Sequence, residues 1–234
     1  MPKKTTSSRN GLVAPDLKSL FAPKNDEQGE FLHTIDHNLI TFVRGPAGTG
    51  KSYIAIAYAL SKLLQHRYSH LILTRPIVQA GSENIGYLPG ILEEKTRDYF
   101  SPMFSIMLQM IDAELLKILT KNNGAEPSIK ILPLAFMRGC TFSKTVVVMD
   151  EAQNCTIEQM RLFLTRFGEG SKMIVCGDVK QSDIHKLNGL SDAFELFKGI
   201  NGIGFVTLSK DAIVRHPIIK DIEDRYDNRP ERSI

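Results

Sequence analysis

The chain has 234 residues, 42% hydrophobic and 24% charged, with a formal net charge of +3. That is room for one α/β domain with a real core and short for two; no apolar run nears the roughly 20 residues that span a bilayer, and the basic N-terminus lacks the apolar stretch of a secretory signal. Cys140, Cys155 and Cys176 are odd in number and lack C-x-x-C spacing, which argues against a disulfide framework and for reduced thiols in a cytoplasmic protein.

Residues 1–15 read as a flexible basic arm whose Lys3, Lys4 and Arg9 could meet phosphates. A helix is expected over about 26–35, carrying Gln28 and His33; His37 follows at metal-pair spacing, with no third ligand nearby. The apolar run 39–43 (LITFV) then leads into GPAGTGKS (45–52), spaced G-x-x-x-x-G-K-[ST], and into a helix over 52–66. Such a loop turns backbone N–H groups toward phosphate oxygens, and the following helix aims its positive end the same way. Gly45, Pro46, Ala47, Gly48, Thr49 and Gly50 therefore read as the phosphate cradle of a nucleotide. Lys51 should reach the β- and γ-phosphates of ATP, and the Ser52 hydroxyl should ligate Mg²⁺.

Five further runs rich in Val and Ile stand at 70–74, 129–132, 145–149, 172–176 and 203–208. They show little alternation of polar and apolar residues, as strands covered on both faces do. Helices are expected between them: an insertion over 88–124 with a break, then 156–167 and 190–198. Met103, Met107 and Met110 share one face of that insertion and read as core ahead of a contact with a neighbouring subunit, and the aromatic residues of TRDYF (96–100) read as helix core ahead of a surface that stacks bases. The pattern gives an α/β fold with a mainly parallel sheet covered by helices on both faces, and a ligand site at the carboxyl ends of the strands. Gly45, Arg75, Asp150 and Asp178 all fall just after strand runs.

The second half of the site is VVVMDEAQN (146–154). Asp150 can hold Mg²⁺, and the adjacent Glu151 can deprotonate the water that attacks the γ-phosphate, a pairing that favours hydrolysis over transfer to another acceptor. In VCGDVKQ (175–181), Gln181 can hydrogen-bond a γ-phosphate and a moving part together; in DAIVRHP (211–217), Arg215 can stabilise charge on the transferred phosphoryl group.

GPAGTGKS, LTRPIVQAG, IGYLPG, PLAFMRG, MDEAQN, EQMRLFLTRFGEGSKMIVCGD, LNGLSDAF and VRHP occur in the order and spacing of the PhoH-like family, and over about 25–225 the chain resembles those P-loop ATPases, which are related to superfamily 1 helicase cores. The resemblance implies a RecA-like ATPase domain, here over 16–226 with a tail at 227–234, and a single-stranded nucleic-acid partner, RNA favoured over DNA. Gln28 then takes the place of the helicase glutamine that reads adenine, Thr74, Arg75 and Pro76 that of the motif touching the nucleic-acid backbone, and Arg215 that of the arginine finger. Ser52 stands where the family usually has Thr, and the loop after Gln181 is shorter than expected. The short chain resembles phage versions. One RecA-like unit leaves Arg215 to act on its own site or on a neighbour's; the second option predicts a homo-oligomer, a hexameric ring around a strand. An ATP-gated scaffold and a small-molecule kinase are the competing readings.

Overall fold

Six strands, β1 (Ile40–Arg44), β2 (His70–Thr74), β3 (Ile129–Ile131), β4 (Thr145–Met149), β5 (Lys172–Gly177) and β6 (Ile203–Thr207), pair in parallel in the order β3-β2-β4-β5-β1-β6 in a computed structural model of the chain. The structure describes residues 21–76, 92–121, 124, 126–184, 187–214 and 217–227. The expected basic arm, much of the segment before the helical insertion, Arg215 and most of the tail lie outside them.

The strand sequences lack alternation because both faces of the sheet are buried. Val43, Leu71, Leu73, Val146, Val148 and Ile174 point to one apolar cluster, and their neighbours Phe42, Ile72, Val147, Met149, Met173 and Val175 to another. Onto the first pack α1 (Asp26–His37), α2 (Lys51–Leu64), α3 (Leu92–Leu108) and α4 (Ala113–Thr120); onto the second pack α5 (Ile157–Leu164) and α6 (Gly189–Leu196). Met103 and Met107 are fully buried and Met110 packs beside them, so the methionine face is core.

Local signals set the helix starts. Asn25 caps α1 by accepting from Gln28 N, Asp112 restarts the chain into α4, Thr156 and Gln159 form a reciprocal capping box at α5, and Asn188 caps α6. A further helix, α7 (Pro217–Asp227), was not expected from the sequence. Its Ile218 and Ile222 remain exposed, and Pro217 at its first position is a start signal. Cys155 and Cys176 are buried free thiols, and burial pushes Cys155 up to about 12, which keeps it protonated. No helix among the described residues is long and apolar enough to cross a membrane.

Candidate nucleotide site

The loop between β1 and α2 is shaped by glycine. Gly48 and Gly50 sit at φ 84° and 87°, where a Cβ is strained, and Gly50 precedes α2 without a side-chain cap. The first N–H groups of α2 are thus left for an anionic ligand. The loop is braced from behind: Gln28 Nε2 donates to Thr49 O at 2.9 Å, Thr49 Oγ1 to Pro46 O at 2.9 Å, and Val214 N to Gly48 O at 3.1 Å. Gly45 lies so close to β6 that a Cβ there would stand 2.7 Å from Leu208 O.

Lys51 folds along this loop and donates to Gly45 O at 2.6 Å and Pro46 O at 2.8 Å. Burial lowers its pKa, while Asp178, Asp150 and Glu151 act to raise it. The ammonium therefore sits among acidic groups, held by carbonyls that a phosphate can replace.

At the end of β4, Asp150 is 8% exposed and accepts from Ser52 Oγ at 2.6 Å. Burial raises its pKa and the Ser52 hydrogen bond opposes that shift. Two hard oxygen donors thus meet beside Lys51. Mg²⁺ takes oxygen ligands, one or two from protein and the rest from water and phosphate, so this pair fits it. Among the described residues no group of three or more His, Cys, Asp or Glu is placed to hold a metal ion, and His33 and His37 stack their rings at 4.0 Å.

Glu151 adopts φ 55°, a left-handed conformation unusual for a glutamate and typical of strained functional positions. One carboxylate oxygen lies 3.1 Å from Arg75 Nη2; the other accepts from Gln153 Nε2 at 2.6 Å. Gln153, 1% exposed, accepts in turn from Asp178 N at 2.9 Å. The Asp178 carboxylate caps the turn Val179–Gln181, which brings Gln181 to the rim of the same pocket.

That pocket, about 840 Å³, is walled by the loop, the strand ends, Pro102 and Ile106 from α3, and Gln109 just after it. The size suits a nucleotide. Phe21 and Tyr53, with ring centroids 5.7 Å apart, line it as well. Sequence reasoning missed this pair: two aromatics 32 positions apart, one before α1 and one inside α2, carry no local motif.

Two expected residues stand differently from the way the motif suggested. Gln28 lines the pocket but is 1% exposed, with its amide oxygen accepting from Lys24 N at 2.9 Å and one amide proton on Thr49 O; it ties α1 to the phosphate loop. Arg75 turns inward to Glu151 and is only 14% exposed, donating also to Tyr99 O at 3.0 Å beneath the Tyr99 ring. Thr74 Oγ1 and Arg75 Nε are buried without a hydrogen-bond partner among the described residues. Each such group costs about 1–3 kcal/mol until a ligand or neighbour satisfies it. Pro76 accepts from the Tyr99 hydroxyl through its carbonyl.

A parallel sheet with a phosphate loop after β1 and an Asp-Glu pair after β4 is the architecture of RecA-like P-loop proteins. Its solved counterparts include the large terminase of a thermophilic bacteriophage in complex with ADP (TM-score 0.53, 11% identity, 86% of this chain and 48% of that one). The large terminase ATPase domain of a Thermus phage is also similar (TM-score 0.52, 13% identity, 92% of each chain). The family profile described as PhoH-like protein matches residues 21–227, and the chain belongs to that family. It is 42% identical to the PhoH-like protein of Bacillus subtilis over 86% of its own length and 62% of the relative's. Against protein PhoH of Escherichia coli K12 the identity is 38%, over 82% and 54%. The chain thus spans little more than half the length of these relatives.

Proposed function

We propose that the chain hydrolyses ATP with Mg²⁺ and couples hydrolysis to binding or remodelling single-stranded nucleic acid, RNA in preference to DNA, as a homo-oligomer. The observation that carries the hydrolytic part is the convergence in one pocket of Lys51, the Ser52–Asp150 pair at 2.6 Å and Glu151.

Ser52 and Asp150 would hold Mg²⁺, which when bound would supply positive charge against the charge that develops on the phosphates. Lys51 exchanges its loop carbonyls for phosphate oxygens. Glu151 accepts the proton of the attacking water as the new O–P bond forms and the β-phosphate oxygen leaves. Gln181 at the rim reports the γ-phosphate to the turn beside it, and Arg215 completes the charge balance, from its own chain or a neighbour's. Gln28 sets the loop's position, and its remaining amide proton is the one it can offer to adenine. Phe21 and Tyr53 offer flat apolar surface to the base.

The unpartnered Thr74 Oγ1 and Arg75 Nε at the carboxyl edge support a phosphate-bearing strand there. The preference for RNA and the ring follow the family resemblance. Phosphate release from Mg-ATP, alone and with single-stranded RNA or DNA, beside Glu151→Gln, tests the reading. Stimulation several-fold by RNA, less by DNA, is expected. Slow turnover unchanged by either polymer would leave a nucleotide-gated scaffold instead.

A further inference from the structure

We propose that Arg75 and Gln153 form a latch on the Glu151 carboxylate, and that a strand phosphate opens it by taking Arg75. This rests on the reading of Glu151 as the base of an ATPase. The latch gives the polymer a route to the chemistry without touching the nucleotide.

Both oxygens of Glu151 are held by donors that belong neither to the phosphate loop nor to the Ser52–Asp150 pair: Arg75 at 3.1 Å and Gln153 at 2.6 Å. A general base must present an oxygen to the water it deprotonates, within hydrogen-bond reach. A carboxylate drawn sideways by an ion pair to Arg75 and a hydrogen bond from Gln153 turns to that water only if one of them yields.

The two jaws differ. Gln153 is fixed: it is 1% exposed, its amide oxygen is bonded to Asp178 N at 2.9 Å, and a Cβ on Gly177 would stand 2.8 Å from that oxygen. Arg75 has somewhere else to go. Its Nε has no acceptor among the described residues, and the neighbouring Thr74 Oγ1 is equally unsatisfied. A guanidinium offers a planar fork that fits a phosphodiester as well as a carboxylate. A phosphate at this edge would satisfy the unused donors and exchange one anionic partner for another.

The mount of Arg75 reaches the nucleotide as well. Its guanidinium lies 5.0 Å from the centre of the Tyr99 ring and donates to Tyr99 O. Tyr99 sits in α3, one turn before Pro102 and two before Ile106, both of which line the nucleotide pocket. One helix therefore meets both the latch and the nucleotide pocket, so a shift of α3 on nucleotide binding would also move the Arg75 seat.

The test is steady-state Mg-ATP turnover by the full chain with and without poly(U), for the wild type, Arg75→Gln, Arg75→Lys and Glu151→Gln. Arg75→Gln is expected to raise kcat without polymer about five- to tenfold, leave KM for ATP within about twofold, and bring the stimulation factor toward one. Arg75→Lys, which keeps the charge and loses the fork, should fall between. A fall in the polymer-free kcat of Arg75→Gln, or an unchanged kcat with stimulation intact, overturns the latch. If Arg75→Gln does not fold, Arg75→Lys carries the test alone, and a polymer-free kcat at or below wild type overturns it. Equal turnover by the wild type and Glu151→Gln would instead remove the ATPase reading, a failure distinct from that of the latch.

Discussion

Two buried lysines sit at opposite ends of the sheet, and both donate to backbone carbonyls. Lys51, at the carboxyl edge, bonds Gly45 O and Pro46 O. Lys172, at the first residue of β5, bonds Ile35 O, Asp36 O at 3.2 Å and Asn38 O at 2.6 Å, closing the end of α1. Burial lowers the pKa of each. Their surroundings differ. Around Lys51 lie Asp178, Asp150 and Glu151, in a pocket that admits a ligand; near Lys172 the acidic neighbour is Asp36, and the Tyr58 ring lies 5.6 Å away. A buried cation that caps carbonyls is therefore not in itself a functional site. An excess of facing carboxylates, with room for a polyanion and its metal, is what distinguishes the first from the second.

The contrast can be broken from either end. The largest effect is expected from Glu151→Gln, which should cut phosphate release on the order of a hundredfold or more, about 2.7 kcal/mol of barrier, while a fluorescent ATP analogue still binds. Next, Lys172→Met removes the donor from three carbonyls at the end of α1. It should cost about 2 kcal/mol, read as a fall in melting temperature of roughly 4–8 °C, with kcat unchanged. The smallest effect is one of pH. Burial, opposed by Asp36, holds Lys172 at about 8 against 10.5. Between those values the unfolded chain still carries the proton and the folded chain has lost it, so the unfolded state binds more protons and this contribution to stability rises with pH. The stability of the wild type over Lys172→Met should accordingly grow from about pH 7.5 to about pH 9.5 in urea melts. A gap that shrinks would show that Lys172 keeps its charge in the fold.

The strand runs were legible in the sequence because double-sided burial writes itself as continuous Val and Ile: 70–74 and 145–149 coincide with β2 and β4, and the others differ by one residue at one end or both. The phosphate loop was legible because its glycines and lysine are demanded by local geometry. What could not be read depends on contacts between distant segments. Arg75 follows a strand, as a residue facing a strand-like ligand would, yet only the fold brings it to Glu151, 76 positions away. Nothing local in the sequence marks Gln153 as the link between Glu151 and Asp178. The Phe21–Tyr53 wall and the role of α3 beside the nucleotide pocket arise the same way. α7 escaped because a short, charged helix with exposed isoleucines resembles a polar tail.

The most direct measurement sets Lys51→Ala beside Lys172→Met, reading Mg-ATP turnover and melting temperature on the same preparations. Lys51→Ala should lose nearly all turnover and melt within a few degrees of the wild type, and Lys172→Met should do the reverse. Full turnover by Lys51→Ala, or an inactive Lys172→Met that melts normally, would contradict the assignment of the carboxyl edge as the seat of the chemistry.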